Sequence, residues 1–217
     1  MKLFSLRKRM DALEAISHRI SANQFDSAKP LTRAEIDELV QYATQAPSSF
    51  NLQHWRFAAV TEHPDKVRLM AVAYHQRKVV DAAVTFIVLG DLEAHTKAAD
   101  ILSQSVTEGI FDQATAEEMI KMARVMYADP VVRRDEAIRS ASLAAMTLML
   151  AAEAKGLVSG PMVEFDPQAL RQEFRIPERY LPVMLIAVGH GAPGNWPRKP
   201  RLSLEDVLVH GVVWNLP

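Results

Sequence analysis

The sequence lacks several features that would point to a particular chemistry or location. Cysteine is absent from all 217 residues, which excludes disulfides, thiolate metal sites and a cysteine nucleophile. Neither sign of charge dominates, because 25 basic and 26 acidic side chains leave a formal net charge of -1, so we expect no nucleic-acid partner. The longest apolar stretch, residues 141–152, is interrupted by Ser142 and Thr147. It is too short to span a bilayer, so we expect no membrane partner either.

The chain also lacks other familiar signatures. The basic residues at its start are not followed by the apolar segment of a signal peptide, so we expect a cytoplasmic protein. The seven histidines occur singly, at positions 18, 54, 63, 75, 95, 190 and 210, and this spacing predicts no metal site. Residues 189–194 match G-x-G-x-x-G. Pro193 and Pro197 prevent the helix that a dinucleotide-binding loop needs, so we predict no Rossmann-type site there.

What is present indicates one domain over residues 1–217. Hydrophobic residues make up 49% of the chain and charged residues 24%, the balance of an ordinary globular protein. Apolar runs at 57–60, 84–89 and 182–188 predict short buried strands. Residues 1–9 are predicted to form an N-terminal tail, and residues 203–217 a C-terminal tail that is apolar and must bury itself.

Helix signals occupy most of the remaining chain. Capping boxes at Thr32–Glu35 and Thr115–Glu118 predict two helix starts. The longest helix is predicted from Asp129-Pro130 to about Lys155, where Gly156 ends it. Together with the strands, these signals predict an α+β fold with helices around a small sheet.

One loop, residues 46–57, combines polar and large apolar side chains between a predicted helix and a predicted strand. Ser48, Ser49 and Asn51 alternate there with Phe50 and Trp55. This mixture suits a flat heteroaromatic ligand, whose faces need apolar cover and whose ring heteroatoms need hydrogen bonds. The alternative is a capped helix end with a packed tryptophan.

Cations elsewhere in the chain could bind one anion and one ring system. Arg19 with Ser21, and Lys199 with Arg201, offer the positive charges and the hydroxyl that a phosphate requires. Another cation, Lys78, precedes a predicted strand and could reach a ring carbonyl together with Gln76. Taken singly, each is better explained as a solvated surface charge. Their combination with the loop at 46–57 is what favours a shared ligand.

The chain resembles the FMN-dependent nitroreductase family over residues 10–210. The matching segments, in chain order, are 19–26, 46–55, 76–82, 160–167 and 199–202. The resemblance implies a three-layer α-β-α fold and a homodimer with FMN sites at the subunit interface. It also implies exchange of C-terminal segments between subunits and electron donation by NADH or NADPH. The small-molecule acceptors that it implies are nitroaromatics, quinones or related conjugated compounds.

The resemblance also assigns roles by position. Arg19, Ser21, Lys199 and Arg201 would hold the FMN phosphate and ribityl chain, with Ile20 and Asn23 beside them. Gln76 and Lys78 would meet the pyrimidine side of the ring. The partner subunit would supply Pro47, Ser48, Ser49 and Asn51, and backbone groups of Pro161, Met162, Val163 and Glu164 would lie near N5.

Two positions depart from the family pattern. Asn23 stands where the family usually has Arg or Lys, which would remove one phosphate cation. Val163-Glu164 stands where the family often has Glu-Gly, which would alter how closely the backbone approaches N5.

The implied mechanism needs no catalytic side chain, because the cofactor carries the chemistry. Lys78 would act as a charge stabiliser for the reduced ring, and donor and acceptor would use one ring face in turn, which gives ping-pong kinetics. The alternatives are a flavin, enone or dehalogenating reductase of the same fold, or a flavin-binding protein with little turnover. A helical interaction module that uses the apolar tail is a further alternative.

Overall fold

The computed structural model describes residues 10–211. The predicted N-terminal tail, residues 1–9, and residues 212–217 of the C-terminal tail lie outside the described residues. Described residues form a four-stranded sheet of β1 (Trp55–Val60), β2 (Val84–Asp91), β3 (Val158–Met162) and β4 (Tyr180–Gly189). All neighbouring strands are antiparallel, in the order β1-β2-β4-β3. The three strands predicted from apolar runs are confirmed, and β3 is an addition.

Helices surround this sheet. In chain order they are α1 (Ala12–His18), α2 (Arg33–Ala43), α3 (His63–Val72), α4 (Lys78–Asp81), α5 (Ala98–Thr107), α6 (Gln113–Met126), α7 (Pro130–Ala154), α8 (Pro167–Glu173) and α9 (Leu204–Val207). Short 3-10 turns occupy Ser49–Asn51 and Ala94–Lys97.

The helix starts follow from local hydrogen bonds. The capping box at α2 is confirmed, since Thr32 and Glu35 each bond the other's backbone amide. The capping box predicted at Thr115–Glu118 is wrong. Asp112 caps α6 instead, its carboxylate accepting from the amide of Thr115 at 2.8 Å. An aspartate three residues earlier is as good a cap as threonine, and it lets the helix begin one turn sooner.

The two central strands are buried on both faces. On β2, Val84, Phe86 and Val88 pack in one apolar cluster with residues of α2 and α7. Between them, Ile87 and Leu89 pack in a second cluster with residues of α3, α4 and α8. This alternation with period two places one helical layer on each side of the sheet. The predicted three-layer fold is therefore confirmed.

The edge strand β1 differs from the predicted buried strand. Ala58 and Ala59 are exposed, because β1 pairs only with β2 among the described strands. The prediction of burial was wrong for these two residues. Their apolar character had suggested a central position that β1 does not have.

Helix α7 crosses one face of the sheet. A Cβ added at Gly90 would lie 2.8 Å from the carbonyl oxygen of Ala137, so a glycine is needed where α7 meets β2. By length and composition α7 is apolar enough to cross a membrane, and it is the one helix of the described residues that meets this criterion. Nine of its residues are buried, most of them alanine. We conclude that α7 is the core helix against which the sheet packs.

Candidate functional site

The segment after α1 runs along edge strand β3. The amide of Ala22 donates to the carbonyl of Ser159 at 2.9 Å, and Ser21 forms a parallel bridge with Ser159. A Cβ on Gly160 would collide with the carbonyl oxygen of Ala22. Gly160 therefore allows residues 19–23 to lie directly against β3, which sets the position of every side chain on that segment.

Arg198 fixes the C-terminal loop to the end of α1. Its guanidinium donates to the carbonyl oxygens of Ile16 at 2.5 Å, Ser17 at 3.0 Å and Arg19 at 3.4 Å. The carbonyls of Ile16 and Ser17 belong to the last turn of α1, whose carbonyls have no intrahelical partners. A positive charge is also favourable at that end of the helix. Arg198 is therefore a structural cap that brings residues 196–201 beside Arg19.

Asn195 makes a second connection between the same two segments. Its side-chain oxygen accepts from the amides of Asn23 at 2.8 Å and Gln24 at 3.0 Å. Its nitrogen donates to the carbonyls of Gln24 at 2.8 Å and Ala192 at 3.2 Å. Sequence reasoning missed both Asn195 and Arg198, and the only available signal was an asparagine after Gly194 in a turn.

These connections enclose a small cationic cavity of about 180 Å³. It is lined by Arg19, Ile20, Ser21, Trp196, Pro197, Arg198, Lys199 and Arg201. Burial lowers the pKa of Arg19, and the positive charges of Arg198 and Arg201 lower it further, whereas Glu153 opposes them. Like charges gathered around a concave space favour a bound anion. The structure thus brings the four predicted phosphate-binding residues together.

Lys78 lies at the other end of the segment that follows α1. Its Nζ donates to the side-chain oxygen of Asn23 at 3.2 Å. Burial lowers the pKa of Lys78, and the carboxylate of Glu164 opposes that effect. The neighbouring Gln76 donates from its side-chain amide to the carbonyl of Glu164 at 2.8 Å. Gln76 therefore holds the turn after β3, where Val163 is 72% exposed.

The loop at 47–53 is organised separately. Phe50, Asn51 and Gln53 have positive φ angles of 52°, 54° and 51°, a conformation that non-glycine residues adopt at a cost. The hydroxyl of Ser48 compensates by accepting from the amide of Gln53 at 2.9 Å. The ring of Phe50 packs edge-on against Tyr127, with centroids 6.3 Å apart. This loop is a defined, strained structure rather than a simple connection.

The structure does not bring the 47–53 loop to the cationic cavity within one chain. The loop enters β1, and the cavity segment lies on β3, which is the opposite edge of the sheet. Three strand spacings separate those edges by about 14 Å. The two segments are also offset along the strands. Trp55 pairs with Gly90 of β2, and Gly90 pairs with Leu181 of β4, whereas β3 pairs with residues 185–189 of β4. That offset of four residues adds about 13 Å along the strands.

The side chains around the cavity are positively charged hydrogen-bond donors, which suit the binding of an anion. Residues 10–211 contain no group of three or more His, Asp or Glu side chains that could hold a metal ion. What converges is a cluster of guanidinium and ammonium groups, one lysine at the start of α4 and an exposed turn after β3. This arrangement can hold a phosphorylated ligand and place a positive charge against another part of it.

Comparison with known proteins agrees with this description. Residues 16–190 match the model of the "Nitroreductase family". The chain is 34% identical over 179 residues to "Putative NAD(P)H nitroreductase YodC" of Bacillus subtilis (strain 168), covering 82% of this chain and 89% of that protein. Among solved structures, the "putative nitroreductase ydfN" from Bacillus subtilis superposes with a TM-score of 0.87 at 33% identity, covering 92% of this chain and 98% of that one.

A second solved structure bears on the cofactor. It is described as a "putative nitroreductase in complex with FMN" from Exiguobacterium sibiricum 255-15, and it is similar to this chain with a TM-score of 0.86 at 26% identity. The match covers 93% of this chain and 97% of that one.

Proposed function

Because this chain belongs to the nitroreductase family, we propose that it is an FMN-dependent oxidoreductase that carries electrons from NADH or NADPH to a small-molecule acceptor. The acceptor class that we propose is a nitroaromatic, a quinone or a related conjugated compound, and the compartment is the cytoplasm. The observation that carries the proposal is the cationic cavity, linked through residues 19–23 to Lys78.

The residues present fit the phosphate end of FMN. A phosphate monoester needs several charged donors, and Arg19, Lys199 and Arg201 line the cavity with the hydroxyl-bearing Ser21. At about 180 Å³ the cavity suits a phosphate and adjoining atoms but not a flavin ring. The ring would therefore lie outside it, toward Lys78 and the turn after β3. In this arrangement the arginines and the lysine bind and orient the ligand.

FMN, when bound, supplies the hydride chemistry between nicotinamide and acceptor. The contribution of the protein to that chemistry is electrostatic. Lys78 would hold a positive charge at Nζ near the pyrimidine edge, where reduction places negative charge. Gln76 would act mainly by fixing the turn at Glu164, because its amide donates to that carbonyl. Backbone groups of Pro161 to Glu164 would line the ring near N5.

We further propose that the chain acts as a homodimer in which each site is built from two chains. The wide separation of the 47–53 loop from the cationic cavity supports this arrangement, since Pro47, Ser48, Ser49 and Asn51 would come from the partner. The C-terminal tail would extend onto the partner subunit. Its described part supports that role, because Leu204 and Val207 on α9 are 69% and 59% exposed. Residues 1–217 would form one domain.

The direct test of this function is reconstitution with FMN under anaerobic conditions. Purified protein should bind about one FMN per chain, as a single preformed site requires. NADH or NADPH should then bleach the flavin absorbance without any acceptor. Double-reciprocal plots with each acceptor should be parallel, because donor and acceptor use the same ring face in turn. Intersecting plots would indicate two pockets instead.

Three other outcomes separate the alternatives. Bleaching by nicotinamide followed by slow reoxidation with every acceptor would indicate a flavin-binding protein with little turnover. Preference for free flavins, enones or halogenated compounds over nitroaromatics and quinones would assign another reductase of this fold. Absence of bound flavin at excess FMN would refute the proposal and favour an interaction module.

A further inference from the structure

Asn23 occupies the position where the resemblance led us to expect a cation. Its side-chain oxygen accepts a hydrogen bond from Lys78 Nζ at 3.2 Å. A cation at position 23 would face the ammonium of Lys78 and repel it. The asparagine therefore does more than remove a charge, because it gives the lysine a neutral hydrogen-bond acceptor.

The backbone that carries this acceptor is held from two sides. Asn195 accepts from the amide of Asn23 at 2.8 Å. On the other side, Ala22 donates to the carbonyl of Ser159 on β3 at 2.9 Å. Asn23 is thus clamped between an edge strand and a loop 172 positions later in the chain.

Lys78 itself needs such an anchor. It is the first residue of a helix of only four residues, Lys78–Asp81, and its side chain has four rotatable bonds and carries a point charge. The carboxylate of Glu164, at the turn that Gln76 holds, also attracts the ammonium of Lys78. A neutral acceptor restricts the ammonium without cancelling its charge. An aspartate at the same position would restrict the ammonium and cancel its charge.

We propose that Asn23 is a positioning residue, which orients the Lys78 ammonium toward the flavin and thereby makes the bound flavin easier to reduce. This inference rests on the proposed function. It assigns to Asn23 an effect on the reduction potential of the flavin that acts through Lys78. A residue that only bound phosphate would instead change the affinity for oxidised and reduced FMN equally.

The test is a double-mutant cycle on the reduction potential of bound FMN, using Asn23→Leu, Lys78→Met and the double variant. Asn23→Leu keeps the approximate shape and removes the acceptor. It should weaken the binding of reduced FMN, relative to that of oxidised FMN, by about threefold to tenfold. For a two-electron couple this corresponds to a reduction potential that is lower by about 14 to 30 mV. In the Lys78→Met background the same change should leave the potential unaltered.

Two more variants make the cycle specific. Gln24→Leu is the matched control, because it makes the equivalent change at the next, exposed residue and should leave the potential unaltered. Asn23→Ala also removes the acceptor without adding a charge, and it serves if Asn23→Leu does not fold. It should lower the potential only while Lys78 is present.

The outcomes separate this inference from the proposed function. A parental protein that binds no FMN would overturn both. If FMN binds, but substitution of Asn23 changes its potential by the same amount in the parental and the Lys78→Met proteins, only the positioning role is overturned. Equal weakening of oxidised and reduced FMN would also overturn it, and would make Asn23 an ordinary contributor to affinity.

Discussion

At the scale of single residues, the cationic cavity contains arginines with different tasks. One nitrogen of Arg198, Nη1, donates to three backbone carbonyls of residues 16–19, which joins the C-terminal loop to the end of α1. Arg19 and Arg201 also donate through Nη1, but to carbonyls next to them in sequence, at Ile20, Lys199 and Pro200. An arginine has five N–H donors. Because Arg19 and Arg201 do not join two segments, they can turn their other donors toward a phosphate without disturbing the fold.

We predict that Arg201→Ala weakens FMN binding about 10- to 100-fold, since a hydrogen bond to a charged group contributes about 1.5–3 kcal/mol. Arg19→Ala should do the same, and quenching of flavin fluorescence on titration measures both. Arg33→Ala is the control, because Arg33 is an exposed arginine on α2 outside the cavity. If both cavity variants bind FMN with parental affinity, the phosphate lies elsewhere.

At the scale of elements, the central strands and helix starts were readable from the sequence because their signals are local. Strand β3 was not predicted, because Gly160 and Pro161 look like a turn. Proline is tolerated there since β3 is an edge strand, where one N–H per pair of residues faces away from the sheet. Thr115 was predicted as a cap because Glu118 follows it at capping-box spacing. The prediction failed because Asp112, three residues earlier, caps the helix instead.

The residues of the candidate site could be predicted from the sequence to a similar extent. Five segments that could bind one ligand were predicted, and the structure gathers the four that include Arg19, Lys78, Glu164 and Arg201. The hydrogen bonds of Asn195 to residues 171 and 172 positions away carry no local pattern. No spacing rule applies to such contacts, because they depend on how the finished sheet places its edges.

A buried carboxylate links three strands at the end of the sheet near the 47–53 loop. Asp91 ends β2 and accepts from Arg179 at 2.7 and 2.8 Å and from Arg56, on β1, at 3.2 Å. Its own amide donates to the carbonyl of His54 at 2.5 Å. Burial alone would raise the pKa of Asp91, but the hydrogen bonds from Arg179 and the amide of Glu93 outweigh it, so the pKa is lowered.

We predict that Asp91→Asn lowers the free energy of unfolding by about 2–3 kcal/mol, somewhat less than for a fully buried pair because Arg179 is partly exposed. Denaturant unfolding of the parent and the variant at neutral pH measures this difference in the free energy of unfolding. Asp91 is depressed in pKa when folded, so its stabilisation is complete above the unfolded value of about 3.9 and is lost as pH falls through the folded value. The difference between parent and variant should therefore shrink in acid.

The surface pair of Arg68 and Glu173, 3.0 Å apart, provides the matched comparison. Both side chains are well exposed, so Glu173→Gln should change the free energy of unfolding much less than Asp91→Asn does. An Asp91→Asn protein no less stable than Glu173→Gln would mean that the buried ion pairs do not hold the three strands together.

At the scale of the whole molecule, the sheet order has a consequence for assembly. The loop before β1 and the segment beside β3 belong to opposite edges of one sheet. Two copies related by a twofold axis can bring the loop of each chain to the cavity of the other, which gives two equivalent sites per dimer. Exposed apolar side chains on α7, Leu143 at 43% and Met146 at 37%, provide surface that such a partner could cover.

Mixed dimers distinguish a site shared between chains from a site within one chain. The first dimer pairs an Arg201→Ala chain with an Asn51→Asp chain, and the two differently tagged chains are purified together. Asparagine and aspartate both tolerate the positive φ at position 51, so the loop should keep its shape while a carboxylate faces an anionic ligand. If sites are shared, one site carries both substitutions and the other carries neither. We therefore predict about one tightly bound FMN per mixed dimer, compared with about two for the parental homodimer.

The control dimer pairs a parental chain with a chain that carries both substitutions. With shared sites, each of its two sites contains one altered half, so neither should bind FMN with parental affinity. Sites confined to single chains predict the reverse, with one intact site in the control dimer and none in the first. Shared sites predict one tight site in the first dimer and none in the control dimer, and sites within single chains predict the opposite. Both dimers contain the same two substitutions, so a general loss of folding would reduce FMN binding in both and would not produce this reversal. An Asn51→Asp homodimer that keeps parental affinity would remove the loop from the site altogether.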